Sequence, residues 1–285
     1  MNGILIVNKP QDFTSRDVVN KIGGILKTKK VGHTGTLDPI ATGVLVICVG
    51  NTTKLCEVLT SEYKEYIATI KLGIKTDTLD TTGEIIERKD FNITESQIKE
   101  VLSSFLGHST QVTPIYSAVK VNGKKLYEYA REGIEVELPK REINITNIEF
   151  ISFNNDEIVF KTTVSKGTYI RALIDDICKK LNTVGTMSSL IRTKQGNFNI
   201  EESYTIEDIE KGNYKLITIE EALSNLETII IDEETYNKVK NGSIIDKMFN
   251  NDIANLVYEN KIVAIYQTYH SDNTKAKPFK MFLNW

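Results

Sequence analysis

The sequence predicts an α+β fold, a mostly antiparallel sheet flanked by short helices and loops. Three observations predict it. Short helical stripes alternate with extended runs, compact polar turns join those runs, and past Leu223 the pattern becomes one of short strands with a single helix. The 285 residues, 40% hydrophobic and 26% charged, suffice for one large domain and a smaller one.

Ile4 to Val7 reads as a short buried strand. Thr14-Ser15-Arg16-Asp17 is a cap-like start to a helix with Val18, Val19, Ile22, Ile25 and Leu26 on one face, ending near Lys30. Residues 30–43, KVGHTGTLDPIATG, then read as a rigid loop centred on Asp38. Gly32, Gly35 and Gly43 permit backbone angles and close approaches that a Cβ forbids, and Pro39 fixes φ. The apolar run from Val44 to Val49 has the length of a buried strand, which sets Asp38 at the mouth of a sheet, where sites are usually built. On composition alone, an Asx-type turn before proline is the more economical account of Asp38.

Asn51 or Thr52 is expected to cap a short helix carrying Leu55, Val58 and Leu59. Ala68, Ile70 and Leu72 alternate with Thr69 and Lys71, so this strand has one face in the core, with Tyr66 beginning that face or its open end. Thr76 to Gly83 is a polar turn, and Glu84 to Glu87 returns as the second strand of a hairpin. Thr94-Glu95-Ser96-Gln97 matches a capping box, followed by a stripe of Ile98, Val101, Leu102 and Phe105 and an end at Gly107. Tyr127, Tyr129 and Ala130 lie on a short helix ended by Gly133, and residues 134–164 read as two or three strands. Thr168 can open a helix with Ile170, Leu173, Ile174, Ile177 and Leu181 on one face and Arg171 in its first turns. Ile229 to Ile231, Ala254 to Tyr258, Ile262 to Tyr266 and Phe279 to Leu283 are short strands, with a helix from Glu233 to Lys240.

Composition narrows the function classes. No apolar run approaches the roughly 20 residues of a membrane helix, and the start, MNGILIVNKP, lacks the basic and apolar parts of a signal peptide. A cytoplasmic protein with no membrane partner is expected. Cys48, Cys56 and Cys178 show no Cys-x-x-Cys spacing and read as reduced core residues. His33, His108 and His270 are scattered without ligand-spaced partners, so neither a metal nor an organic cofactor is expected. A net charge of -3 speaks against a nucleic-acid partner until its distribution is examined. Residues 201–234 hold eleven acids against two lysines, which leaves the rest of the chain net positive. Basic residues gather at Lys27, Lys29 and Lys30, at Lys120, Lys124 and Lys125, at Lys166 and Arg171, and at Arg192 and Lys194. That distribution suits a phosphate-binding face with an acidic far side.

The run GHTGTLDPIATGVL, with NKPQDFTS before it and GNTTK after it, resembles the first signature block of the TruB family of tRNA pseudouridine synthases. Four more blocks follow in the family's order: residues 64–83, residues 113–133, SKGTYIRALIDDI from Ser165 and LIRTKQGNF from Leu190. The resemblance implies a pseudouridine synthase domain over residues 1–226, with a thumb-like insertion at about 115–141, and a PUA-like RNA-binding domain over 227–285. It implies isomerisation of the T-loop uridine at tRNA position 55, by base flipping and without a cofactor. It also implies a monomer that binds tRNA and needs no obligate protein partner. Removal of the last domain is expected to leave a folded catalytic part.

By the same resemblance Asp38 is the catalytic carboxylate, acting either as a nucleophile at C1′ or as the base that removes a ribose proton; the sequence leaves both routes open. Arg171 matches the arginine that pairs with it, and Tyr66 the tyrosine that stacks on the uracil. Tyr169 and Leu190 match walls of the nucleotide pocket, and His33 matches the residue that opens the RNA loop. Lys120, Lys124 and Lys125 suit phosphates along the thumb-like insertion. Asp12 and Thr113 depart from the family, which commonly has glycine and proline there. The rival reading is a non-catalytic tRNA-binding or tRNA-folding protein on the same scaffold, which need not keep Asp38, Tyr66 and Arg171 together.

Overall fold

The computed structural model describes residues 1–60 and 63–282. The chain begins with strand β1 (Gly3–Lys9), helix α1 (Ser15–Ile25) and strands β2 (Val31–His33), β3 (Thr42–Val49) and β4 (Tyr63–Leu72). A hairpin of β5 (Ile74–Thr76) and β6 (Ile85–Arg88) follows, then α2 (Glu95–Ser103) and β7 (Gly107–Val112). The thumb-like segment carries a second hairpin, β8 (Lys120–Val121) with β9 (Lys124–Lys125), and then α3 (Leu126–Glu132). Strands β10 (Lys140–Asn154) and β11 (Glu157–Ser165), helix α4 (Ile170–Lys180) and strands β12 (Gly185–Gln195) and β13 (Phe198–Asn199) complete this part. Short helices α5 (Ile206–Glu210) and α6 (Ile219–Ala222) lead to the last module. It holds β14 (Glu227–Ile230), α7 (Glu233–Val239), β15 (Ile245–Asp246), β16 (Ile253–Tyr258), β17 (Lys261–Thr268) and β18 (Lys275–Met281).

Nine strands form the main sheet in the order β1-β3-β12-β4-β11-β10-β7, with β2 added to β3 and β13 to β12. Among the described residues its strand pairings are antiparallel except for β3 against β12, where Thr42 and Gly43 run parallel to Ile191 and Arg192. The α+β expectation therefore holds, and the parallel seam turns out to lie beside the Asp38 loop. Gly43 makes the seam possible: its φ is +97°, and a Cβ there would stand 2.3 Å from the Arg192 carbonyl oxygen.

β1 and β3 are buried on both faces, which is why they read as unbroken apolar runs. Leu5, Val7, Leu45 and Ile47 pack under Val18, Val19 and Ile22 of α1. Ile4, Ile6, Val44 and Val46 face the other way and share one apolar cluster with Leu223, Ile265 and Phe282 of the C-terminal part. On β4, by contrast, Tyr66, Ala68, Ile70 and Leu72 alternate into a core closed by Ile98 and Leu102 of α2 and Leu173, Ile174 and Ile177 of α4. The second sheet has the order β14-β16-β17-β18-β15.

The capping boxes at Thr14–Asp17 and Thr94–Gln97 form, and α3 ends at Gly133 in the left-handed conformation. Several boundaries differ from expectation. α1 stops at Ile25, because Lys27 takes a φ of +50°, and the chain returns at once as β2 where a continuous loop was expected. Gly50–Leu55 is a 3-10 helix started by Val49, so neither Asn51 nor Thr52 caps it; the Thr52 hydroxyl instead donates to the Gly3 and Val49 carbonyls. Gly107 opens β7 instead of ending α2. α4 has Tyr169 at its N-cap, leaving Thr168 outside the helix. The strand expected at Phe279 to Leu283 lies earlier, at Lys275–Met281, and Leu283 falls outside the described residues.

Candidate active site

The loop joining β2 to β3 is held from beneath by two buried cations. Arg192 on β12 is fully buried, and its guanidinium donates to the carbonyls of Val44 at 2.6 Å and of Gly35 and Thr36 at 3.2 Å. It is thus a prop for the loop, not part of a phosphate-binding surface as its place among the basic clusters suggested. Lys9, also fully buried, donates to the Pro10, Phe13 and Pro39 carbonyls at 2.8, 2.6 and 3.1 Å. Burial pushes its ammonium down to about 8, against the pull of Asp12 and Asp38, so near pH 7 it stays mostly protonated. Asp12 occupies the left-handed region at φ +66°, which aspartate tolerates better than most residues, and its N–H donates to the Pro39 carbonyl at 2.9 Å. The departure from glycine at this turn therefore leaves it anchored to the loop.

Asp38 projects from this loop to Arg171 in the first turn of α4. The two meet side-on, Nε to Oδ2 at 2.9 Å and Nη2 to Oδ1 at 3.2 Å, the fork geometry that suits a carboxylate. Arg171 is 6% exposed, so its charge needs further partners. Nη1 donates to the Thr78 carbonyl at 2.8 Å, Nη2 to the Tyr116 carbonyl at 3.0 Å, and Asp80 lies 3.9 Å from Nε. Asp80 is itself fixed, its Oδ1 accepting from the Thr78 hydroxyl and from both the N–H and the hydroxyl of Thr82. The polar turn between β5 and β6 thereby becomes part of the site.

A cleft of about 300 Å³ opens over this pair, with Asp38, Tyr66, Tyr169 and Leu190 in its lining. Tyr66 reaches it from β4 opposite Arg192, and Leu190 from β12 opposite Ala68. Tyr169 is fixed through its backbone, which exchanges hydrogen bonds with the buried Gln111 side chain at 2.8 and 3.1 Å. Lys64, Arg141 and Lys166 add positive charge to the lining. Burial, together with the charges of Arg192 and Lys166, pushes Lys64 down to about 8.

Four of the expected residues lie elsewhere. His33 ends β2 outside the lining, and its Nδ1 accepts from the Gly35 N–H at 3.3 Å. Burial and the charges of Arg192 and Arg16 hold its imidazole below the usual value, hence neutral near pH 7. Lys120, Lys124 and Lys125 stand on the β8–β9 hairpin, also outside the cleft. Of these, Lys124 is tied to Glu132 and sits 5.0 Å over the Tyr129 ring, while Lys125 bonds the Tyr127 hydroxyl at 3.1 Å. Asp80, Lys9, Gln111 and Tyr116 were not singled out from the sequence. Only Lys9 leaves a trace there, as a charge two residues past a strand's apolar run.

The sequence profile of the TruB family pseudouridylate synthase N-terminal domain matches residues 24–170, and that of the tRNA pseudouridylate synthase B C-terminal domain matches residues 171–235. The tRNA pseudouridine synthase B of Clostridium tetani is 47% identical over 276 aligned residues, which cover 94% of this chain and 96% of that protein. The protein of the same name from Bacillus subtilis is 44% identical, with 99% and 98% covered. Among solved structures, the crystal structure of a Cbf5-Nop10-Gar1 complex matches with a TM-score of 0.73 at 24% identity, covering 99% of this chain and 84% of that one. That likeness concerns the fold.

Proposed function

The chain belongs to the TruB family of pseudouridylate synthases, and from that membership we propose that it isomerises the T-loop uridine at position 55 of tRNA to pseudouridine. The observation that carries this reading is the fork between Asp38 and the buried Arg171 beneath a cleft walled by Tyr66. The reaction breaks the N1 to C1′ bond, turns the uracil and rejoins it through C5. A carboxylate paired with a guanidinium can attack C1′ or remove a ribose proton, and both routes need the same pair.

The Tyr66 ring can hold the detached uracil by stacking, which constrains its plane and leaves its rotation free. A uridine stacked in a folded loop has to be flipped out to enter the cleft, at a cost of a few kcal/mol on the order usual for base flipping. Leu190 and the Tyr169 ring wall the nucleotide, and His33 would fill the space it vacates. On this reading residues 1–226 form the catalytic domain, the C-terminal sheet is a PUA-like RNA-binding domain, and the enzyme works in the cytoplasm as a monomer. Neither a metal nor a cofactor enters the chemistry.

Tritium release from a T-arm transcript carrying 5-tritiated uridine tests the proposal, since C5 loses its hydrogen when it bonds C1′. Release is expected with protein and RNA alone. Tight binding without release would leave only a tRNA-binding or tRNA-folding role. A second expectation concerns salt. On this reading Arg141 and Lys166 beside the cleft, with the lysines of the β8–β9 hairpin, meet phosphates, so affinity should fall as salt rises. Each contact with single-stranded RNA should add about 0.7 to the logarithmic slope. A flat titration would make these residues ordinary surface charge.

A further inference from the structure

We infer that Tyr116 and Asp77 are positioning residues that couple docking of the thumb-like segment to the alignment of Asp38. This rests on the proposed synthase activity, and it adds two residues that touch neither the Asp38 carboxylate nor the cleft.

The coupling runs through Arg171. A guanidinium has five N–H donors in a fixed plane. Two of them hold Asp38, and the bonds that fix the plane against rotation go to two backbone carbonyls, those of Thr78 and Tyr116. Thr78 lies in the turn between β5 and β6, while Tyr116 begins the thumb-like segment. The aim of the Asp38 carboxylate therefore depends on two stretches that are not continuous in the chain.

Asp77 and Tyr116 tie these stretches together. The Tyr116 hydroxyl donates to Asp77 Oδ2 at 3.0 Å, and Asp77 Oδ1 accepts from the N–H groups of Thr78 and Glu84, both at 2.9 Å. The turn is packed closely around that carboxylate: a Cβ on Gly83 would stand 2.3 Å from Asp77 Oδ1. A closed ring results, from Asp77 through Thr78 to Arg171 and back through Tyr116. The hydrogen bond to Asp77 holds the phenol's charged form at a disadvantage, so Tyr116 remains a donor at neutral pH.

The root of the segment is closed by a second bond that this chain gains from its departure at Thr113. The Thr113 N–H donates to the Pro139 carbonyl at 3.0 Å, joining the two ends of the segment, whereas a proline at 113 would have no N–H to give. Inside the root, the buried hydroxyls of Thr113 and Ser117 have no protein partner among the described residues. When it is docked, Tyr116 presents its carbonyl to Arg171 and Asp38 is aligned. When it lifts, Nη2 loses that acceptor and the guanidinium plane is held on the Thr78 side alone. RNA that presses the segment down would thereby favour the aligned carboxylate.

The test is Tyr116→Phe in the full chain, which keeps the ring and removes the hydroxyl, assayed beside the wild type for single-turnover tritium release at saturating T-arm RNA, for RNA affinity and for melting temperature. A fall of about 10-fold in the saturated rate is expected, with affinity within about 2-fold, because a misaligned group costs turnover and not binding. Asp77→Asn keeps its one oxygen for the Thr78 and Glu84 N–H groups and turns an NH₂ toward the Tyr116 hydroxyl, which can accept from it, so the rate should fall less than in Tyr116→Phe. An unchanged saturated rate overturns the inference, as does weakened affinity at full rate, which would make Tyr116 only a grip on RNA. A rate that falls together with melting temperature in both variants overturns it too, since that is a structural role. If the wild type itself releases no tritium, the synthase reading fails, and not this one.

Discussion

Asp38→Asn is expected to lower single-turnover pseudouridine formation by at least about 10³-fold while leaving tRNA affinity within a few-fold. The amide nearly matches the carboxylate in shape, so the loop that Arg192 and Lys9 hold from below should keep its course. Charge and basicity are lost. One of the two positions that now accept from the Arg171 fork would carry an NH₂ facing a donor, so one of the bonds at 2.9 and 3.2 Å breaks. Arg171 keeps the Thr78 and Tyr116 carbonyls and the attraction of Asp80, which should spare the fold from a buried charge with no counter-charge. Tritium release and filter binding on the same transcript separate the two effects. Lost binding with retained turnover would remove Asp38 from the chemistry.

Arg171→Lys should follow with a loss of about 10²-fold, although the charge is conserved. An ammonium is a point donor. It cannot span both carboxylate oxygens and also reach two carbonyls on different segments, which the guanidinium does through Nε, Nη1 and Nη2. The substitution also leaves buried acceptors unpaired, so the melting temperature should drop by a few degrees for each kcal/mol lost, on the order expected for a domain of this size. Wild-type turnover in this variant would reduce Arg171 to a prop for the turn at residues 76–83.

Elements were legible in the sequence where one local rule decided them. Thr14 with Asp17 and Thr94 with Gln97 fix two helix starts, and the alternation through Ala68, Ile70 and Leu72 fixes the buried face of β4. β12 escaped because two of its inward positions are polar: Arg192 and Gln195 are fully buried, so their inward placement does not show as alternation. The Arg192 side chain is solvated by carbonyls that belong to a loop some 150 residues away in the chain, 156 from Thr36 and 157 from Gly35. β2 was hidden by its length of three residues with a glycine in the middle.

The site divides the same way. Asp38 stands out from its glycines and proline, but nothing local to residue 171 says that it meets residue 38, and that pairing came from resemblance to a family. Asp80 and Tyr116 act through Arg171 from a turn and from the start of the thumb-like segment, where no periodicity exists to mark an inward side chain. Long-range hydrogen bonds to backbone carbonyls are the part of this site that residue types do not encode.

The apolar cluster in which Ile4, Ile6, Val44 and Val46 meet Ile265 and Phe282 bears on how the protein comes apart. Neither sheet can shed the other without wetting its own interior, and each buried aliphatic or aromatic side chain so exposed costs about 1.5–3 kcal/mol. The C-terminal module is therefore expected to unfold with the rest of the chain instead of detaching as its position in the sequence suggested. A calorimetric scan should show one endotherm for the whole chain, and limited proteolysis near residue 226 should yield a first fragment that aggregates instead of a catalytic domain that survives. Two endotherms, or a stable and active fragment of residues 1–226, would show that the cluster joins the sheets without binding their fates together.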